Sequence, residues 1–347
     1  MINSHSITVA IDAMGGDYGP SVVVPGAVKA AQITGAKIIL VGNTPEIEDQ
    51  LALLQVKNTK IEIVHASDVA NMDEKPSDIL RRKKNSSIQI ACRLVKEGLA
   101  NAIVSAGHSG ASVACGMFII GRITGVERPA LASILPTEKN PLILLDVGAT
   151  VDCKPYHLFQ FGLMGHTFAC DLLNIQSPRV GILSIGEEEG KGNTQVKEAY
   201  ELLKMAKDIN FTGNVEGRDL FTGNVDVTIC DGFVGNVALK LSEGLSSSLS
   251  RVLRKELFSS GIFSKIGTFL AKNAFKNFSK LIDYAEYGGA PLLGLKGIFI
   301  VSHGSSNEKA ICNATKMAVL FEQKETNKRL IDSISLNEEL TRFGHSC

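Results

Sequence analysis

The chain has 347 residues, 44% of them hydrophobic and 21% charged, and its 36 basic residues balance its 36 acidic ones. That balance excludes a disordered chain, a collagen and a disulfide scaffold, and the missing basic excess argues against a nucleic-acid binder. Glycine is abundant at 33 residues and aromatics are sparse at 6%, which suits an enzyme of tight loops better than a base-stacking surface. In chain order, short apolar runs read as strands at 7–11, 37–41, 61–65, 102–105, 142–146, 179–184, 225–230 and 297–301. Longer amphipathic stretches read as helices at 45–54, 87–97, 111–120, 157–173, 194–206, 234–257 and 308–321. Strand alternating with helix predicts an α/β fold: three α/β/α layers around a mostly parallel sheet. No linker or repeat interrupts the alternation, so residues 1–347 read as one domain.

Seven cysteines stand singly, without a CxxC pair, so zinc and redox motifs have little support. Their odd number and the lack of a secretory signal point to reduced thiols in the cytoplasm. No run of 18 apolar residues is present, so no membrane-spanning helix is expected.

The strand ends carry the chemistry, because ligands of open α/β sheets bind beyond carboxyl ends. Six such ends are Gly-rich loops with polar groups, at 12–17, 105–111, 146–149, 184–193, 231–236 and 303–306. Together they predict one shared site. Gly107, His108, Ser109 and Gly110 precede an apolar helix, where free amides and the helix dipole favour an anion. Lys191 lies in a Gly-rich loop at an expected helix start, where a cation is better placed to meet a bound anion than to face the dipole alone. The triplet Glu187, Glu188 and Glu189 reads as capping or lysine pairing rather than as a metal site. Asp231, next to Gly232, is either a general base or a helix cap. His303 and His108 lie in the strand-end loops, whereas His65, His157 and His166 read as structural; His5 and His345 are terminal. No GxSxG, HExxH or GxGxxG pattern occurs.

Residues 81–84 form a basic cluster that suits an acidic partner, a phosphate or plain solvent. Residues 251–282 carry seven basic side chains against one acid. Apolar Ile262, Phe263, Ile266, Phe269, Leu270, Phe275, Phe278, Leu281 and Ile282 recur there near helical spacing, with Gly261 and Gly267 expected to break or bend the helix. A basic amphipathic arm over 245–287 results. It suits an anionic membrane surface, a helical pair in a dimer, or both.

Several stretches together resemble the bacterial phosphate acyltransferase family (PlsX), the acyl-carrier-protein:phosphate transacylases of phospholipid synthesis. They are IDAMGGDYGP at 11–20, KPSDILRRKKNSS at 75–87, VSAGHSGA at 104–111 and RPALA at 128–132. LLDVGATVDCKPYHLFQFGLMG at 144–165, GILSIGEEEGKGN at 181–193, the run at 213–240 and GGAPLLGLKGIFIVSHGSS at 288–306 complete them. The resemblance implies a fold like isopropylmalate dehydrogenase and phosphotransacetylase, a homodimer, and no metal or nucleotide cofactor. It implies transfer of a fatty acyl group from acyl carrier protein (ACP) to inorganic phosphate. The acyl-phosphate would pass to a membrane glycerol-3-phosphate acyltransferase, which places the chain peripherally on the inner membrane face. On that reading Asp231, Lys191, Asn236 and His303 are catalytic candidates. Asp12, Gly107, Gly110 and Gly232 bind substrate, joined by His108 and Ser109 on the loop reading rather than by carry-over from the family, and Arg81, Lys83 and Lys84 dock the acidic carrier. Phe263, Ile266, Phe269, Leu270, Lys272 and Lys276 meet the membrane. The chain departs from the family pattern at His108-Ser109, Thr150 and Ile185. Rival readings are a short-chain phosphotransacetylase using coenzyme A and a non-catalytic scaffold.

Overall fold

The computed structural model describes residues 7–56, 60–259, 261–281 and 284–343. His5, Ile282, His345 and Cys347 lie outside the described residues. The chain opens with β1 (Thr8–Asp12), α1 (Pro20–Thr34), β2 (Lys37–Gly42), α2 (Thr44–Leu53) and β3 (Ile61–His65). Next come α3 (Pro76–Arg82), α4 (Ser87–Lys96), β4 (Ala102–Ser105) and α5 (Ser109–Cys115), which runs into a π-helical turn at Gly116–Ile120. The middle holds β5 (Ala130–Leu135), β6 (Leu142–Leu145), α6 (Pro155–Leu172), β7 (Arg179–Leu183), α7 (Thr194–Lys204), β8 (Asn210–Val215) and β9 (Val227–Ile229). Then follow α8 (Gly232–Ser259), α9 (Ile262–Leu270), α10 (Lys272–Leu281), β10 (Ala290–Leu293) and β11 (Ile298–Val301). Helices α11 (Glu308–Gln323), α12 (Thr326–Leu336) and α13 (Glu338–Phe343) close the described chain.

The strands form one 11-stranded sheet in the order β3-β2-β1-β4-β11-β10-β5-β6-β9-β7-β8. Side chains alternate faces along a strand, and the apolar runs fill both. Val9 and Ile11 of β1 join one core cluster, with Val24 and Ala27 of α1 and Ile311 of α11. Ala10, between them, joins the opposite cluster with Ile88, Ala91 and Cys92 of α4. Helices therefore cover both faces of the sheet, the three layers expected of near-continuous apolar strands.

All eight expected strands are present, each within two residues at either end, and β5, β8 and β10 were not expected. Two of those additions reverse the chain. Strands β3, β2, β1, β4 and β11 run parallel. Then β10 is antiparallel to β11 and to β5, and β5 is antiparallel to β6. Strands β6, β9, β7 and β8 are again mutually parallel. Three reversals make the second set run opposite to the first.

The basic arm is helical, with one correction. Gly261 interrupts it in a left-handed conformation (φ 92°), as expected. Gly267 instead lies inside α9, and the next break falls at Ala271. On α9, Phe263, Ile266, Phe269 and Leu270 stand in solvent, exposed at 86%, 52%, 75% and 78%. No helix among the described residues is long and apolar enough to cross a membrane.

Candidate functional site

The six loops expected to share one site gather into two groups. In the first, the turns after β1, β4 and β11 interlock backbone to backbone. Asp17 N–H donates to the Gly304 carbonyl at 2.8 Å. A Cβ on Gly15 would lie 2.7 Å from the Gly107 nitrogen, so only glycine permits this approach. Asp12 ends β1 fully buried. Its Oδ2 accepts from the Ser105 hydroxyl at 2.8 Å, and Ser105 Oγ accepts from Gly107 N–H at 3.1 Å. Burial raises the Asp12 carboxyl above its ordinary range, opposed by hydrogen bonds from Ser87 and Ser105. Asp12 is thus a buried support of the Gly107 turn rather than a group open to substrate.

His108 is the N-cap of α5, and its Nδ1 accepts from Ala111 N–H at 3.3 Å. Ser109 is exposed beside it, and Gly110 packs against Pro76. His303 is exposed; its Nδ1 accepts from Ser305 N–H at 3.2 Å. His157 is structural, as expected: Nδ1 accepts from Lys154 N–H at 3.0 Å and Nε2 lies 2.9 Å from Glu127.

The second group surrounds Asp146, which the sequence reading left out of the candidate residues. It is fully buried. Its Oδ1 accepts from the amides of Leu131 (2.8 Å), Gly148 (3.1 Å) and Ala149 (3.0 Å), and its Oδ2 from Thr150 (2.6 Å). The available signal was an aspartate following the apolar run LILL and standing two residues before a glycine. Helix α8 starts directly against this nest. Gly232 N–H donates to the Thr150 carbonyl at 2.9 Å, and a Cβ on Gly232 would lie 2.6 Å from Asp146 Oδ2. Asn236 is exposed one turn on, facing Gly148.

Asp231 takes the capping role of its two alternatives. Its Oδ1 accepts from Phe233 N–H (3.0 Å) and Val234 N–H (2.9 Å) at the start of α8. Lys191 is exposed but not at a helix start, because Asn193 caps α7 by accepting from Val196 N–H at 2.9 Å. Two of the acidic triplet pair with cations, and the Glu188 carboxylate stands beside the Lys191 stem at Gly186. Glu187 pairs with Arg218 at 3.5 Å, Glu189 with Lys204 at 2.6 Å, and the Glu188 carbonyl accepts from Asn214. Among the described residues no carboxylate pairs with the Lys191 ammonium. No group of three His, Cys, Asp or Glu side chains placed to hold a metal occurs among the described residues.

In the basic cluster, Arg81 and Lys84 are exposed, but Lys83 is turned inward. Its ammonium meets Glu74 Oε2 at 2.5 Å and the Val69 carbonyl at 2.7 Å. Lys83 and the Asn71 amide hold the Glu74 carboxyl below its ordinary value. Lys83 is therefore not a free docking cation.

Burial drives the Asp146 carboxyl up to about 6, despite four amide donors. An acid raised on folding binds its proton more tightly in the folded chain. Its ionisation therefore removes stability as pH rises from about 4 to about 6, on the order of 3 kcal/mol in all. Asp146→Asn should abolish that slope, read as the difference in urea midpoints between wild type and variant from pH 4 to 7. A parallel pH dependence in both would show that Asp146 does not change protonation there.

Two curated relatives are named phosphate acyltransferase. The one from Lawsonia intracellularis is 99% identical over all 347 residues of both chains. The one from Nitratidesulfovibrio vulgaris is 68% identical over 340 residues, 98% of each chain. The fold is similar to a phosphotransacetylase from Streptococcus pyogenes (TM-score 0.65, 16% identity, 92% of this chain and 95% of that one). It is also similar to a phosphotransacetylase from Staphylococcus aureus (TM-score 0.61, 15% identity, 91% and 94%). A family model described as fatty acid synthesis protein matches residues 7–329, and the chain belongs to that family.

Proposed function

We propose that the chain transfers a long-chain acyl group from acyl-ACP to inorganic phosphate. A phosphate oxygen attacks the thioester carbonyl, the C–S bond breaks, and the departing carrier thiolate takes up a proton. The products are acyl-phosphate and free ACP. The observation that carries the reading is Lys191, an exposed ammonium in a Gly-rich strand-end loop whose flanking Glu187 and Glu189 are each paired elsewhere. A cation with no ion pair, while two of its three neighbouring glutamates are engaged elsewhere, is suited to gather phosphate and to offset charge on the tetrahedral intermediate. Asn236 supplies a neutral donor near Gly148. Burial pushes the Cys153 thiol up to about 12 and that of Cys230 well above its ordinary value. Neither suits a thiolate nucleophile, in keeping with direct attack by phosphate. Asp231 is committed to its helix cap, which leaves His303 the better candidate to protonate the thiolate.

The sheet geometry supports joint use of both loop groups. Strands twist by roughly 20–25° at each step, so five steps from β4 to β9 rotate the strand direction by more than roughly 100°. Combined with the reversed polarity, a twist of that size would swing the carboxyl ends of the second set back toward the first. The metal-free, cofactor-free mechanism requires only these side chains and amides. The discriminating assay compares phosphate-dependent thiol release from palmitoyl-ACP and from acetyl-CoA. Preference for acetyl-CoA would replace this reading with a short-chain phosphotransacetylase.

Arg81 and Lys84, both exposed, are suited to dock the acidic carrier. Along α8, Val234, Val237, Leu241, Leu245, Leu249 and Val252 are all exposed and share one helical face. A homodimer covering that face would bring two arms side by side. Exposed Phe263, Ile266, Phe269 and Leu270, followed by Lys272 and Lys276, then suit an anionic bilayer, where each lysine contributes about 1 kcal/mol. Peripheral binding there would deliver acyl-phosphate to a membrane glycerol-3-phosphate acyltransferase. Replacing Phe269 and Leu270 by Glu should release the protein from phosphatidylglycerol vesicles while turnover of acyl-ACP in solution survives. Loss of the dimer together with activity would assign those residues to subunit packing instead.

A further inference from the structure

Residues 68–87 form a strap laid against the first loop group. Its ends are joined, with Asp68 N–H donating to the Asn85 carbonyl at 3.3 Å and Ser87 N–H to the Asp68 carbonyl at 3.2 Å. Within it, the Lys83–Glu74 pair is only 26% and 29% exposed, whereas Arg82, next in chain, is 81% exposed. Lys83 also donates to the Val69 carbonyl, and Glu74 Oε2 also accepts from Asn71 N–H at 2.9 Å. One ammonium and one carboxylate thus tie together three points of the loop preceding α3. A half-buried pair reinforced by backbone partners restrains a loop far better than an exposed pair does.

Helix α3 carries that restraint to the loop group. Ile79 is fully buried in the cluster that holds Ala111 and Cys115 of α5. Gln89 Nε2 donates to the Ile79 carbonyl at 2.8 Å and fixes α3 to α4. Pro76, the first residue of α3, lies on Gly110. A Cβ there would come within 2.8 Å of Pro76 Cγ and 3.0 Å of His108 Cε1.

We propose that Lys83 is a positioning residue: clasped to Glu74 and Val69, it holds Pro76 against Gly110 and so fixes the His108–Gly110 turn for inorganic phosphate. The inference rests on the acyl-transfer reading for its ligand. It differs from carrier docking in one respect, since the clasp needs Glu74 as much as Lys83, and docking an acidic carrier does not.

Lys83→Met, Glu74→Gln and the double variant are compared with wild type, using palmitoyl-ACP, inorganic phosphate and amide hydrogen exchange. Each single variant should raise the phosphate KM by about fivefold or more, with little change in the carrier KM, because a small displacement of a binding turn weakens what it positions. The double variant should be no worse than either single, as expected of two groups in one interaction. Exchange at residues 105–111 should quicken in all three. A raised carrier KM in Lys83→Met alone, with Glu74→Gln unaffected, would overturn the proposal in favour of docking. Unchanged exchange at 105–111 would overturn it as well. A wild type with no phosphate-dependent turnover would sink the acyl-transfer reading, and the exchange comparison would still decide the clasp.

Discussion

Lys191→Ala should lower kcat/KM for phosphate by about tenfold or more, a loss of about 1.4 kcal/mol or above in transition-state stabilisation. Phosphate brings negative charge to the site, and attack on the thioester carbonyl develops more on the carbonyl oxygen. Lys191 can serve both because it makes no ion pair and two of the three neighbouring glutamates are engaged, Glu187 with Arg218 and Glu189 with Lys204. Its side chain is exposed and caps no helix, so the fold should not depend on it. The variant should therefore melt within a degree or two of wild type, as exposed substitutions cost at most about 0.5 kcal/mol. Near-normal phosphate kinetics would show that the ammonium lies outside the site.

Gly235→Ala should cost on the order of 3 kcal/mol or more, the scale of severe overpacking. A Cβ at Gly235 would lie 1.9 Å from the Asp146 carbonyl oxygen and 2.8 Å from Cys230 Sγ. Neither neighbour can retreat cheaply. The Asp146 N–H is bonded to the Cys230 carbonyl at 3.0 Å, and the Asp146 side chain is held by four amides. Relief would require moving α8 as a whole, and with it Asp231 and Asn236. Gly244 provides the comparison on the same helix, since nothing lies within 4 Å of its Cβ position. Gly244→Ala should stabilise by roughly 0.5–1 kcal/mol, the helical preference for alanine over glycine. Opposite signs in urea midpoint are expected for the two variants. A mild Gly235→Ala would mean that α8 does not press on the Asp146 nest.

The parallel strands were legible because their residues are apolar on both faces, as in KIILVG, AIVS and LILL. The missed strands lack that signature for separate reasons. Strand β10 is APLL, and a proline ordinarily counts against a strand. Strand β5, ALASIL, is built on small residues, and the edge strand β8, NFTGNV, is half polar. Missing β5 and β10 hid the reversal of chain direction, so six loops seemed to share one edge. At the site, glycine-rich strand ends marked the right segments, because close backbone approach leaves its trace in composition. Individual side-chain roles were less visible. Asp231 and His108 carry functional-looking chemistry but serve as helix caps, a distinction made by φ, ψ and amide direction. Lys83 sits in a run of four basic residues, and only the folded strap brings Glu74 to it.

The most direct test of the central claim is the product balance of palmitoyl-ACP incubated with inorganic phosphate, with acyl-phosphate trapped by hydroxylamine. Direct attack predicts one palmitoyl hydroxamate for each free ACP, both dependent on phosphate. Release of ACP without hydroxamate, or independent of phosphate, would contradict acyl transfer to phosphate.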